Sequence, residues 1–516
     1  MRRWRLSNGI NFASQKSRRS AIAIGFPRAC LAATLLGTMS LGGCAPAPFD
    51  PGLTFAVPAR FEAGSTTKAQ NASRWWTRFG AAELDRLMDT ANVENLDLAV
   101  AAAQLKAAEA QITISGAALW PVFDYTDNNS RSQTSGTTVR GAISPPVARN
   151  SFSKVLGASY ILDIWGQNRD ALEASIRSAT ASAYQIEVVR LATRASVVNS
   201  YLLYAANRER AAVARQNLRN ADRILRVIRE RSDAGTASDL DIQQQVSLTE
   251  IQRANIPPLN QAADTARTAL ALLIGQPVQM VHLGAARVQR LRVPDAGSGF
   301  PSSLLFRRPD VKAAELQLAA ADADVEVARK AFLPTITLAG QAGFQSALLS
   351  TLLRPESFIY SIAGGLTQTI FDGGRLRGQL ALTEAQRQQL LETYRKSIVS
   401  ALTDVENALI GIRENASRER AQRAAVDAAR RAFNLSEDRL NQGAIDITQL
   451  LTVQNTLFQT EDTLIEVRLA RLQAIASLFQ AIGGDWEEPI VVQSRYGQTS
   501  AADYGTAVPA ARMRKD

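Results

Sequence analysis

Thr367 to Gly378 reads TQTIFDGGRLRG, and paired glycines between a strand-like run and a helix-like one can cradle a phosphate. A nucleotide loop also needs a Lys-Ser or Lys-Thr pair after its glycines. Gly373 and Gly374 are followed by Arg375-Leu376, so phosphate chemistry is not indicated. Other reactive residue types are scarce. His282 is the one histidine, and Cys30 and Cys44 are the two cysteines. That leaves no basis for a His/Cys metal site or a histidine-based triad. The sequence therefore reads as a non-enzyme with no catalytic residues, no cofactor and no metal.

Residues 1–43 hold seven basic residues and no acid, followed by the apolar stretch Ala29 to Leu41. The stretch is too short to span a bilayer and has the pattern of an export signal. It ends in Leu41-Gly42-Gly43-Cys44, which resembles a bacterial lipobox, where cleavage before the cysteine frees Cys44 for acylation. Ala45, rather than Asp, follows and implies sorting to the outer membrane. Removing the signal takes seven of 58 basic residues and leaves 51 against 48 acidic ones, so a net charge of +10 falls to +3. No basic groove for nucleic acid is left. Cys30 departs with the signal, which excludes an intrachain disulfide.

The rest of the chain repeats. Asp97-Leu98 with Gln104-Leu105 recurs as Asp310-Val311 with Gln317-Leu318, and Pro121 as Pro334, each 213 positions on. Gly166 and Arg169 recur as Gly374 and Arg377, Gly235 as Gly443, and Ile274-Gly275 as Ile482-Gly483, each 208 positions on. A unit of roughly 200 residues is too long for a solenoid and reads as a tandem duplication. Each copy runs helix, two strands around a loop, very long helix, tight turn, long returning helix.

Period-two alternation marks the strands. Leu156, Ala158, Tyr160, Leu162 and Ile164 share one face of 155–164, and Phe358, Tyr360, Ile362, Leu366 and Ile370 one face of 357–370. In 335–344, Ile336, Leu338 and Phe344 oppose Thr335, Thr337 and Gln341; near 122–132 only Phe123 and Tyr125 alternate clearly. From Gln167 to about Arg231 there is neither Gly nor Pro, so one helix could extend roughly 95 Å at 1.5 Å per residue. Its apolar residues recur at three- and four-residue steps (Val188, Leu191, Ala195, Val198, Leu202), which is coiled-coil spacing. Pro257-Pro258 should kink or interrupt the returning helix of the first copy. Gly166, Gly373 and Gly374 then fall at strand-to-helix junctions, and Gly235 and Gly443 at helix-turn tips. The series Arg208, Arg215, Arg219, Arg223, Arg226 reads as a solvated face.

Four alternating strands leave two open edges, and open edges cannot face lipid. Bacterial barrels close from eight strands upward, so several copies must share one barrel. Four motifs follow in order from Trp75 to Trp486: WWTRFG…ELDRLM, RRPDVKAAELQL…AFLP, IFDGGRLR and LFQAIGGDW. They resemble those of TolC-type outer membrane efflux proteins, in the NodT-like lipoprotein branch. The resemblance implies an α+β membrane protein, a homotrimer whose four strands per chain close a twelve-stranded outer membrane β-barrel. That barrel continues into a twelve-helix periplasmic α-barrel. The implied partners are a periplasmic adaptor (membrane fusion protein), an inner-membrane RND-type transporter and outer membrane lipid. The duct itself is passive and conducts drugs or other small solutes.

The resemblance also implies a gate of aspartates at the periplasmic helix turns. Asp241 holds a family-typical position, with Asp239 and Asp446 nearby, while the two ring-aspartate positions after Gly443 carry Gln449 and Thr452. Each aspartate equally reads as a helix cap. The expected division is signal peptide 1–43, lipidated and equatorial segment 44–90, repeat one 91–275, linker 276–303, repeat two 304–486 and flexible tail 487–516. Two other functions stand beside this one, and the first would differ from it in the inner partner and not visibly in this chain. The same duct could serve type I protein secretion. A purely structural periplasmic coiled coil would leave the alternating strands and the lipobox unexplained.

Overall fold

The computed structural model describes residues 58, 60–63, 74–133, 135, 148–295 and 307–484. The signal, Cys44 and the tail 487–516 lie outside these residues. The first copy contains α1 (Ala82–Glu94), α2 (Leu96–Ala117), β1 (Val122–Gln133), β2 (Ala148–Leu162), α3 (Gln167–Asp233) and α4 (Asp239–Leu273). The second contains α5 (Pro309–Lys330), β3 (Thr335–Ser346), β4 (Phe358–Thr367), α6 (Arg375–Asn441) and α7 (Ile447–Ala481). The duplication holds in element length. Helices α3 and α6 each have 67 residues, α4 and α7 each 35, and α2 and α5 each 22.

Three elements depart from the sequence reading. Strand β2 begins at Ala148, well before the apolar alternation, because its polar start pairs with the polar end of β1 from Gln133 to Asp127. Strand β4 stops at Thr367, short of Ile370, because the first residue of β3, Thr335, pairs there. Helix α4 runs unbroken through Pro257-Pro258. The two prolines cannot bond the carbonyls of Arg253 and Ala254, but all four residues are exposed, so water can serve those oxygens. Gln252, Ala263 and Ala266 bury the opposite face, and α4 packs along α3. Tertiary packing outweighs the lost bonds.

The main core joins both ends of the described chain. Trp75 and Trp76 sit in a 3-10 turn, Trp75–Phe79, that precedes α1. Trp75, fully buried, stacks on Phe479 of α7 with centroids 5.0 Å apart. Such a pair adds about 0.5–1.5 kcal/mol beyond its area burial. Gly275 and Gly483 follow α4 and α7 with positive φ, and a Cβ on either would strike a backbone carbonyl, that of Glu94 or Arg307. Those carbonyls are themselves 213 positions apart, so the repeat extends to close contacts.

Candidate functional site: the two-faced sheet and the helix tips

The four strands form one antiparallel sheet in the order β1-β2-β3-β4. Residues directly opposite one another lie on the same face. Tyr125, Leu156, Ala342 and Tyr360 form one row across the sheet, and Phe123, Ala158, Gly340 and Ile362 the next. That face continues through Tyr160, Leu338, Ile336 and Leu366. The opposite face carries Asp124, Thr126, Asn128, Ser153, Ser159, Thr337, Gln341 and Ser361. Ile362 is 87% exposed and Tyr360 74%, an apolar surface suited to hydrocarbon. The other face suits water. Strands of 10 to 15 residues meet the length a tilted membrane strand needs.

Toward the loop end, Asp127, Lys154, Phe344 and Phe358 form a single row. Lys154 donates to Asp127, and the two phenyl rings meet edge-on at 5.7 Å. A charged pair beside aromatics fits the level where hydrocarbon gives way to headgroups.

At the junctions Gly166 and Gly374 cap α3 and α6 with φ of 78° and 94°, and Gly373 has φ 67°. Glycine has no side chain to cap with, so aspartates do it. Asp163 accepts from the backbone N–H of Asn168 at 3.0 Å and of Arg169 at 3.1 Å. Asp372 accepts from the N–H groups of Leu376 at 2.9 Å and Gly374 at 3.0 Å. The bond from Leu376, then that from Gly374, holds the Asp372 carboxyl below the usual range despite some desolvation. The glycine pair does present an anion to a helix N-terminus, and the anion is the chain's own carboxylate.

At the tips Gly235 and Gly443 have φ of 74° and 72°. Each helix ends in a Schellman turn: Thr236 N–H donates to Arg231 O at 2.8 Å, and Ala444 N–H to Arg439 O at 2.9 Å. Ser238 then caps α4 in a capping box, and Asp241 Oδ2 accepts from the Ser238 N–H and hydroxyl, both at 2.8 Å. Asp446 caps α7, accepting from Gln449 N–H at 2.8 Å. Asp239 and Gln449 are exposed in the first turns, and the Thr452 hydroxyl donates to Thr448 O at 2.9 Å. All five candidates thus lie within two turns of a tip. Ile224, Ile228, Phe433 and Leu450 pack the two tips together, and Arg231 Nη2 donates to Leu440 O at 2.6 Å. The arginine series is less idle than the sequence suggests: Arg223 pairs with Glu437 of α6, and Arg215 donates to Asn260 of α4.

Buried charge at mid-height escaped sequence reasoning. Glu419 is 2% exposed and bonds Arg423, Arg468 and Arg471, while Arg468 Nη2 also donates to Leu291 O at 2.7 Å. Glu209 accepts from Gln289 N–H at 3.2 Å, and the Tyr204 hydroxyl lies 3.2 Å from Leu283 O and Gly284 O. These groups pin the segment that joins the copies against the helices. His282, in that segment, is exposed. Long helices, close helical tips and a two-faced sheet suit passage, and the outer membrane efflux protein family model matches residues 87–276 and 300–484.

The chain belongs to the outer membrane efflux protein family. It is 40% identical over 453 residues to the pyoverdine export outer membrane protein OpmQ of Pseudomonas aeruginosa, covering 87% of this chain and 95% of that one. It is 32% identical to the outer membrane protein OprJ of the same species, covering 88% and 95%. The open state of the Neisseria gonorrhoeae MtrE outer membrane channel matches with a TM-score of 0.77 at 26% identity, over 85% of this chain and 97% of that one. Like its family, the chain is a non-enzymatic efflux duct of the outer membrane.

Proposed function

We propose that three copies of this chain form the exit duct of a tripartite pump. The duct receives small solutes from a periplasmic adaptor and an inner-membrane RND-type transporter. The sheet carries this reading, with one polar face, one apolar face and, among the described residues, unpaired edges on β1 and β4. In hydrocarbon each unpaired backbone group costs several kcal/mol, so the edges must meet other strands. Three copies supply twelve strands, an even number within the range of closed bacterial barrels. Acylated Cys44 anchors each copy. The tips lie at the periplasmic end, where Asp241 and Asp446 of three copies gather near one axis and help close it. The similarity to OpmQ favours secreted metabolites of the pyoverdine kind as cargo.

A photo-crosslinking residue at exposed Leu240, beside the tip, tests the partners. Irradiation in cells should capture an adaptor and, through it, a proton-driven RND transporter. Capture of an ATP-driven exporter with a protein cargo would replace this reading with type I secretion.

A further inference from the structure

We propose that β4 of one copy pairs with β1 of a second copy in the register the chain already uses between β2 and β3. This rests on the reading that several copies share one barrel. The rule comes from the repeat. Advancing β1 by 213 positions and β2 by 208 turns the pair Val122↔Ser159 into Thr335↔Thr367, and Tyr125↔Leu156 into Leu338↔Gly364. Both derived pairs are present between β3 and β4. The first hairpin therefore maps onto the second without a slip.

The joint between the copies of the repeat can be mapped the same way. Within the chain Leu162 pairs with Ile336, Tyr160 with Leu338, and Ser159 with Ala339. Advancing the β2 member and moving the β3 member back gives Ile370↔Phe123, Gln368↔Tyr125 and Thr367↔Thr126, each between two copies. Side-chain parity is kept: Ile370 joins Phe123 on the apolar face, and Thr367 joins Thr126 on the polar one. A one-residue slip would reverse every face, but a two-residue slip would not. The repeat is what separates the even registers. Val122 leads through Ser159 to Ala339, four residues beyond Thr335, its counterpart. Pairing thus climbs about two residues per strand, a tilt of roughly 54° from a 3.3 Å rise and 4.8 Å spacing. The proposed register continues that climb unchanged around the ring.

Exposure on the outward sides of the two repeats identifies the occupant as a second copy. Helices α3 and α5 pack together, and Ala174 on α3 and Ala313 on α5 are 6% and 3% exposed. Their repeat counterparts, Leu382 on α6 and Val100 on α2, are apolar yet 50% and 56% exposed. On the sheet, Ile370 is 89% exposed and Phe123 66%. Among the described residues, the surfaces that one repeat buries against the next are left open on the outward sides of the two repeats. Pairing should also lengthen β4 to Ile370, matching the end of β2.

Disulfide trapping tests the register in the full chain, whose remaining cysteine is the acylated Cys44. Thr126→Cys with Thr367→Cys should give covalent trimers on non-reducing gels. Pairing Thr126→Cys with Gly365→Cys or Thr369→Cys, each slipped by two, should give on the order of tenfold less, since diagonal Cα atoms lie too far apart to bridge. If the first variant fails to reach the membrane, Tyr125→Cys with Gln368→Cys reports the same register. Stronger trapping by a slipped pair, in a particle of three-copy mass, would overturn the register and leave the trimer standing. A one-copy mass would overturn the shared barrel and the register with it.

Discussion

Two buried glutamates should respond to pH in opposite directions. Desolvation works against the Glu419 carboxylate, but bonds from Arg471 and Arg423 and the charge of Arg468 outweigh it and hold its pKa low. Burial pulls Arg468 down as well, yet a guanidinium stays charged, so the glutamate decides the pH behaviour. A depressed folded pKa gives stability that is full above the unfolded value near 4.3 and fades as pH falls through the folded one. Thermal unfolding followed by circular dichroism should show that loss in the wild type and not in Glu419→Gln. At neutral pH, Glu419→Ala should cost about 3–5 kcal/mol, because it strands buried guanidinium charge. Burial raises Glu209 despite bonds from Gln289 and Val288. Its stability is full below the unfolded pKa and is lost as pH rises through the folded one. Glu209→Gln keeps the acceptor oxygen, so it should remove that loss and leave neutral-pH stability equal or higher.

The tip aspartates have two roles that can be separated. Asp446→Ala removes an N-cap and should cost about 1 kcal/mol. If three copies of Asp241 and Asp446 also help hold the tips shut, the double alanine variant in planar bilayers should conduct more than wild type. Unchanged conductance would leave both as caps alone. Gln449 and Thr452 offer only neutral hydrogen bonds, about 0.5–1.5 kcal/mol each, and should matter less.

At the scale of elements, the tip turns depend on glycine in the left-handed region. Gly235→Ala and Gly443→Ala meet no neighbour within 4 Å, so backbone strain alone should cost about 1–2 kcal/mol at either tip. Similar losses are expected, because the two turns have the same backbone hydrogen bonds. Pro257→Ala with Pro258→Ala should instead stabilise α4, by restoring bonds to Arg253 and Ala254; an unchanged melting temperature would show that water serves those carbonyls fully.

What the sequence disclosed follows from how local each signal is. The long helices were legible because nothing in Gln167 to Arg231 breaks a helix, and the tips because Gly235 and Gly443 recur at a fixed offset. The central alternation of β2 was legible, but its polar start was not, since only pairing with β1 makes Ala148 to Ser151 a strand. Asp163 and Asp372 could have been found as acids two or three residues before a junction glycine. Glu419 could not. Its nearest partner, Arg423, is one turn away on α6, but Arg468 and Arg471 are about fifty residues further on, and its burial depends on their packing.

On the scale of the whole molecule, a four-stranded sheet with an exposed apolar face is stable in a membrane only once its edges are closed. One spectrum tests this most directly: native mass spectrometry of the full-length gene product, extracted from outer membranes in detergent. Three chains per particle are expected, each starting at Cys44 and heavier than its polypeptide by the attached acyl groups. A stable single-chain particle would contradict the shared barrel, and with it the duct.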